Sequence, residues 1–194
     1  MKFAISAGAY RGKDVFDLLR KVKEHGFDGL EYLSWWTLDD LHAVAAEQQK
    51  IGVGISAVCT RFFNLVDETK REQYLEGLRP TIEACKILGT KSIITQTGNE
   101  MEGVPRERQR QAMIETLKRC AALLENTDIV LEVEPLNGLV DHPGHFLQRS
   151  DEAVYVIDEV GSPNVKLVFD VYHQQITEGN VIRNATAYVS RINH

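Results

Sequence analysis

Three side chains at the ends of two apolar segments have the types and spacing to act on one ligand: Glu134, Asp170 and His173. Glu134 ends the segment 129–134, whereas Asp170 ends the segment that starts at Val165, and His173 follows three residues later. Short, nearly continuous apolar runs are typical of parallel strands covered on both faces. In parallel barrels, the reactive residues lie at the C-terminal ends of the strands. We therefore expect the three side chains to form one site.

Two carboxylates and an imidazole suit a hard divalent cation such as Mg²⁺ or Mn²⁺, with Glu134 and Asp170 as the predicted metal ligands. Such a cation would hold the vicinal oxygens of a hydroxy-carbonyl compound and stabilise an enediolate. A carboxylate near the reacting carbon, predicted to be Glu134, would move the proton. The alternatives stay open: an exposed acid for Glu134, a turn cap for Asp170 and an ordinary loop residue for His173.

Two features near these residues carry further expectations. Glu132 shares a strand face with Glu134, because side chains alternate with a period of two, and a buried Glu132 would need a partner. The loop 137–148 contains His142 and His145 around a Pro-Gly pair, and the alternatives there are a lid and a plain surface loop.

The surrounding pattern predicts six strands, each followed by a helix. Loops are expected around Gly12 and Phe63, and Pro80 should kink or divide its helix. The strands are predicted at 3–6, 29–33, 53–58, 92–95, 129–134 and 165–169, and the helices at 13–25, 37–51, 68–88, 105–125, 150–160 and 180–192.

This alternation predicts an α/β fold with a parallel sheet and crossover helices. The first strand is followed by neither GxGxxG nor a P-loop, so we expect no nucleotide cofactor. The spacing fits a (β/α) TIM-type barrel, which needs eight strands. We therefore predict that residues 1–194 form a single barrel domain, truncated or incomplete, with the C-terminal βα units missing.

Bulk properties narrow the class of protein. The 194 residues, with 43% hydrophobic and 26% charged residues, are typical of a globular domain, and the net charge of -6 disfavours nucleic acid as a partner. The three cysteines lack a CxxC spacing, which predicts core thiols in a reducing compartment. No run approaches the ~20 apolar residues of a membrane span, and the N-terminus lacks a signal-peptide pattern. We expect a cytoplasmic protein that has no membrane partner and can form a homo-oligomer.

Three motifs resemble the xylose isomerase-like superfamily of sugar phosphate isomerases and epimerases, and hydroxypyruvate isomerases within it. They are Glu134-Pro-Leu-Asn137, Val140-Asp-His-Pro-Gly144 and the block from Phe169 to Gly179, which reads Phe-Asp-Val-Tyr-His-Gln-Gln-Ile-Thr-Glu-Gly. The last block is the most specific.

The resemblance implies roles for these residues. Glu134 matches an acid that is both metal ligand and proton-transfer group, Asp170 matches a second ligand, and His173 matches a substrate contact. Asn137 and His145 are expected to bind substrate with it. The resemblance also implies a seventh-strand histidine and an eighth-strand glutamate, for which this chain has no counterpart.

The predicted function is an intramolecular oxidoreductase in carbohydrate metabolism, an aldose–ketose type isomerase acting on hydroxypyruvate or a similar small molecule. A ketose 3-epimerase and a catalytically inactive fragment are the alternatives. A metal-dependent endonuclease is disfavoured, because such sites gather several metals with many histidines.

Overall fold

The computed structural model describes residues 2–10, 13–62 and 64–194, so the predicted loop positions Gly12 and Phe63 lie outside the described residues. Strands and helices alternate along the chain, as predicted. The strands are β1 (Ala4–Ser6), β2 (Gly29–Glu31), β3 (Gly54–Cys59), β4 (Ser92–Thr95), β5 (Val130–Val133) and β6 (Val165–Leu167). The α-helices are α1 (Val15–Glu24), α2 (Leu41–Ile51), α3 (Arg71–Leu88), α4 (Arg106–Leu124), α5 (Ser150–Val160), α6 (Val171–Thr177) and α7 (Val181–Tyr188).

The six strands form one parallel sheet in the order β1-β2-β3-β4-β5-β6, which confirms the predicted α/β fold. Each strand pairs with the next one in the sequence, so the sheet winds in one direction, as the strands of a barrel do. β1 and β6 lie at its two ends, and the sheet is open between them. The six-stranded, unclosed arrangement agrees with an incomplete barrel.

A short segment after α7 continues the sheet beside β6. The amide of Leu167 donates to the carbonyl of Arg191 at 2.8 Å, and the amide of Phe169 donates to the carbonyl of His194 at 2.9 Å. A parallel bridge joins Leu167 to Ile192. The helix predicted to reach Ile192 therefore ends at Tyr188, because the residues after Ser190 pair with a strand instead.

The two faces of the sheet differ in chemistry. On β5, Leu131 and Val133 pack into the main core beneath the helices, and Glu132 alternates with them. A smaller apolar cluster of Ala57, Ile94 and Val168 lies apart from that core, and Ile94 is the register partner of Glu132. The period of two thus directs Glu132, and Glu134 two residues later, to the face opposite the helices.

Three local predictions need correction or refinement. Asp40, rather than Thr37, caps α2, because the Asp40 carboxylate accepts the amides of His42 and Ala43 at 2.9 and 3.0 Å. Thr37 instead ends a 3₁₀ turn, where its hydroxyl donates to the carbonyl of Ser34. α3 runs through Pro80 undivided. The turn expected after Asp170 is the start of α6.

Within the described residues, every helix is too short or too polar to cross a lipid bilayer.

Candidate active site

Glu134 follows β5 directly, at the carboxyl end of the sheet. Its backbone amide donates to the carbonyl of Thr95 at 2.9 Å, so the strand pairing holds the residue in place just before Pro135 ends the run. The side chain is half-buried. Burial raises the pKa of Glu134 to about 7, with the charges of Asp170 and Glu31 adding to the rise. A hydrogen bond with Gln96 acts in the opposite direction.

Asp170 occupies the corresponding position after β6 and serves as the N-cap of α6. One carboxylate oxygen, Oδ1, accepts the backbone amide of His173 at 3.1 Å. The other oxygen, Oδ2, lies 3.9 Å from Nε2 of His173. Asp170 can therefore cap α6 and also take part in the site, because each role uses a different carboxylate oxygen.

The side chains of Glu134, Asp170 and His173 converge. Each offers one potential ligand atom, and these atoms lie within 4.8 Å of one another. His173 is nearly buried, and burial lowers its pKa, with the charge of Asp170 opposing that effect. The structure thus brings the three predicted residues to one place, and their roles in binding or catalysis stay predictions.

Asn137 is fully buried, at 0% exposure, and both ends of its amide have partners. Its Nδ2 donates to Nδ1 of His173 at 2.7 Å and to the carboxylate of Asp141 at 2.8 Å. Its Oδ1 accepts the amides of Val140 and Asp141 at 3.0 and 3.1 Å. Substrate binding by Asn137 stays a prediction, and these four bonds already use both the NH₂ group and the oxygen of its side chain.

His145 lies behind the site, buried at 4% exposure, with Nε2 3.2 Å from the hydroxyl of Thr97. Burial lowers its pKa to about 4, and electrostatic repulsion from the imidazoles of His142 and His173 adds to the effect. The ring of His142 bridges the other two histidines, with centroids 6.3 Å from His145 and 5.4 Å from His173. Contact of His145 with a substrate stays a prediction.

Hydrogen bonds at two places fix the loop 137–148 that carries His142 and His145. Leu136 donates its amide to the carbonyl of Leu147 at 3.1 Å, which closes the loop at its base. An antiparallel bridge joins His145 to Asn99 in the loop after β4. Phe146 and Leu147 are completely buried. The second half of this loop is therefore packed as part of the fold, unlike a plain surface loop.

A second group of ionisable side chains lies one layer below the site. Glu132 is completely buried, and its Oε1 accepts a hydrogen bond from Asn193 at 2.5 Å. The imidazole of His194 lies between two acids, 3.4 Å from Glu31 and 3.8 Å from Glu132. The bond to His194 lowers the pKa of Glu31, and the same bond raises the pKa of His194. The expected partners of Glu132 thus come from the segment after α7.

The carboxylates of Glu134 and Asp170 suit a hard cation. Glu134 and Asp170 supply carboxylate oxygens within 4.8 Å of each other, and oxygen is the donor that Mg²⁺ and Mn²⁺ prefer. Burial and repulsion from Asp170 both raise the pKa of Glu134, and a bound cation would favour the ionised form of both carboxylates. These two residues would hold such an ion.

Several members of the site had weak signals in the sequence. Asn137 followed by Gly138 marks an Asx-type turn, which could have pointed to the bond from Asn137 to the amide of Asp141. Gln96 lies just beyond the predicted strand that ends at Thr95, so its position at a strand end was visible. Glu31 also ends a strand, and only the fold brings it near His194.

The comparisons with known proteins agree with this arrangement. The family described as xylose isomerase-like TIM barrel matches residues 19–194 of the chain. A hydroxypyruvate isomerase of Escherichia coli (strain K12) is 32% identical over 125 residues, which are 64% of this chain and 48% of that protein. The chain spans about half the length of the hydroxypyruvate isomerases it matches.

Two further relatives extend the likeness over nearly the whole chain. A probable ketose 3-epimerase of a Synechocystis species is 26% identical over 188 residues, covering 91% of this chain and 63% of that protein. The crystal structure of a protein from Brucella melitensis, described as a family 2 AP endonuclease, superposes with a TM-score of 0.92 at 22% identity. It covers 100% of this chain and 78% of that one. At that identity the structural likeness shows the fold alone. Because the family match covers most of the chain and the fold agrees with it, the chain belongs to the xylose isomerase-like TIM barrel family.

Proposed function

We propose that this chain carries catalytic and ligand-binding residues of an intramolecular oxidoreductase. Such an enzyme interconverts a small hydroxy-aldehyde and a hydroxy-ketone through an enediolate. The observation that carries the proposal is the position of Glu134. It is a half-buried carboxyl group whose pKa is raised to about 7, beside Asp170 and His173 at the carboxyl ends of β5 and β6. A general base works best when its pKa lies near the operating pH.

Each side chain has a distinct part in the proposed proton transfer. Ionised Glu134 removes a proton from the carbon next to the carbonyl, the C–H electron pair becomes the enediolate double bond, and the carbonyl oxygen gains the negative charge. The proton of the hydroxyl group on the deprotonated carbon moves to the former carbonyl oxygen, and protonated Glu134 returns its own proton to the neighbouring carbon. The electron pair of the double bond forms the new C–H bond, the deprotonated oxygen forms the new carbonyl, and Glu134 is ionised again, so atoms and electrons balance. His173 contacts a substrate oxygen.

A divalent cation on Glu134 and Asp170, Mg²⁺ or Mn²⁺ in our proposal, would supply charge stabilisation for the enediolate oxygens when bound. The burial of the site strengthens such stabilisation, because a lower effective dielectric increases every charge interaction.

We propose hydroxypyruvate as the substrate and tartronate semialdehyde as the product. The 32% identity to a hydroxypyruvate isomerase supports this choice. A ketose 3-epimerase is the second candidate, because the matching epimerase relative covers 91% of the chain. Both reactions begin with removal of a proton next to a carbonyl. We also propose a cytoplasmic setting, which the three buried free cysteines favour.

The test uses the 194-residue protein in D₂O with Mg²⁺ or Mn²⁺ present. Hydroxypyruvate, fructose and tagatose are incubated separately, and proton NMR follows the exchange of the carbon-bound proton together with product formation. We expect deuterium incorporation and tartronate semialdehyde from hydroxypyruvate only. The Glu134→Gln variant is the control for background exchange.

Each result separates the alternatives. Exchange with fructose or tagatose alone would favour the epimerase. If exchange with all three compounds stays at the level of the Glu134→Gln control, both enzymatic proposals are refuted, and a catalytically inactive chain remains.

A further inference from the structure

The hydrogen bonds at His173 define which ring nitrogen carries its proton. Nδ1 faces two donors, the side-chain amide of Asn137 at 2.7 Å and the backbone amide of Asn137 at 3.4 Å. A backbone N–H is always a donor, so Nδ1 must accept. In a neutral imidazole the other nitrogen, Nε2, then carries the hydrogen.

The side-chain amide of Asn137 cannot be turned round to reverse this polarity. Its Oδ1 already accepts the backbone amides of Val140 and Asp141 at 3.0 and 3.1 Å. A flipped amide would place NH₂ against these two N–H donors and would lose both bonds. The orientation that donates to His173 is therefore the one that the turn enforces.

The side-chain amide of Asn137 also has a partner on its solvent side, the carboxylate of Asp141. Its second hydrogen goes to the carboxylate of Asp141 at 2.8 Å, and the hydroxyl of Tyr172 donates to the same carboxylate oxygen at 2.8 Å. A chain of bonds thus runs from the exposed carboxylate of Asp141 through the buried amide of Asn137 to the imidazole of His173.

We propose that Asn137 is a positioning residue that fixes His173 as a hydrogen-bond donor toward the site. Nε2–H then lies on the side of the ring toward Asp170, 3.9 Å from its Oδ2, within the cluster that Glu134 completes. A donor there complements a carbonyl or enediolate oxygen. It does not suit a cation, because Nε2 could bind a metal only if the proton moved to Nδ1, against two donors.

The tautomer itself depends on geometry alone, whereas its catalytic meaning rests on the proposed function. Long-range ¹H–¹⁵N NMR of the imidazole side chains separates the two, because it needs no substrate. Spectra are recorded at pH 8, where neutral rings dominate, and a His173→Gln variant identifies the signals. We expect the Nε2–H tautomer in about tenfold excess over the Nδ1–H form. A dominant Nδ1–H form in the wild-type protein would overturn the proposal, even if the protein is an active isomerase.

A paired exchange of amide and carboxylate tests the cause. In the Asn137→Asp, Asp141→Asn double variant, the carboxylate faces Nδ1 and the amide takes the outer place, with little change of shape. We expect this variant to shift the tautomer toward Nδ1–H, because the side-chain partner, at 2.7 Å in the wild type, lies closer to Nδ1 than the backbone amide at 3.4 Å, which stays in place. Tyr172→Phe is the matched control, because it removes only the outermost bond and should leave the Nε2–H form dominant.

Activity then adds a second reading. The double variant should lower kcat for hydroxypyruvate by about tenfold or more, as the loss of a charge-stabilising donor does, and Tyr172→Phe should not. If the double variant is poorly folded, Asn137→Ala replaces it, and a smaller excess of Nε2–H is expected. An unchanged tautomer in every folded Asn137 variant would show that Asn137 does not fix it.

Discussion

Glu132 lies in β5 and Glu134 directly follows that strand, and the two side chains face the same side of the sheet. Glu132 is completely buried, and the side chains of Asn193 and His194 lie against it. Glu134 is half-buried, and its carboxylate lies within 4.8 Å of potential ligand atoms of Asp170 and His173. The pKa of each carboxyl is raised, and burial is the first cause in both.

The difference between the two acids lies in their partners. Asn193 donates a hydrogen bond to Glu132 and the imidazole of His194 lies beside it, whereas Glu134 has a hydrogen bond with Gln96 and the negative charge of Asp170 beside it. Like charges in one place are costly unless a proton or a cation is shared between them. A raised pKa alone therefore does not identify a catalytic residue, and the charge of the neighbours does.

The largest expected effect separates the two acids by activity. Glu134→Gln should lower kcat/KM for hydroxypyruvate by about 10²–10⁴-fold, because it removes the proposed general base. Glu132→Gln keeps an acceptor for Asn193 and should change kcat/KM by about threefold or less. Steady-state kinetics of both variants, with circular dichroism to verify folding, measure the contrast. Equal losses in the two variants would remove the functional distinction.

The second effect is a dependence of stability on pH. The folded pKa of Glu134 lies near 7, above its ordinary value of 4.5, so the folded state binds the extra proton and loses stability as pH rises from about 4.5 through 7. The change in the free energy of unfolding that Glu134→Gln causes should therefore be about 1–3 kcal/mol more stabilising at pH 8 than at pH 5. Urea denaturation at both pH values provides the measurement.

Glu31 supplies the control of opposite sign, because His194 lowers its pKa. The Glu31–His194 pair contributes stability where the acid is ionised and the imidazole is protonated, near pH 6. Glu31→Gln should destabilise the protein there, and the loss should shrink toward more acidic pH as Glu31 itself takes up a proton. A stabilising Glu31→Gln at pH 6 would contradict the assigned pairing.

The third effect concerns cation binding by Glu134 and Asp170, in contrast to Glu132. Asp170→Asn should weaken Mn²⁺ binding by about tenfold or more, since one of two carboxylate ligands is lost. Glu132→Gln should leave the affinity unchanged. Isothermal titration calorimetry compares both variants with the wild type, and equal affinities in all three would place the ion elsewhere.

The smallest expected effect is the absence of a change at His145. Burial lowers its pKa to about 4, so its ring should stay neutral from pH 5 to pH 8. NMR titration of the imidazole carbon protons tests this, with His145→Gln used to assign the signals. A His145 resonance that shifts with a midpoint above pH 6 would show that the ring is more open to solvent than its 4% exposure indicates.

The sequence predicted the parts of the site that depend on local pattern. An apolar run ending in an acid located Glu134 and Asp170 at strand ends, and the period of two placed Glu132 on the same face as Glu134. The start of α6 was missed, because an Asp that caps a turn and one that caps a helix use the same bond to a following amide. Thr37 resembled a cap for the same reason, although Asp40 fills that place.

Contacts between distant segments could not be predicted in this way. Asn193 bonds Glu132 across 61 positions of sequence, and no periodicity encodes that pairing. The bond from Asn137 to His173 spans 36 positions and depends on how β5 and β6 align in the sheet. The sheet register carries this information, and the register becomes known only from the fold.

One oxygen of the Asp170 carboxylate accepts the amide that starts a helix, and the other oxygen lies toward the imidazole of His173. Any force that a ligand exerts on this group is therefore transmitted to the first turn of α6, which also carries His173. Binding and local helix fraying become opposed processes, so that an occupied site should slow amide hydrogen exchange at the start of α6. The stiffness of one short helix would then set how precisely the acid and the imidazole meet the substrate.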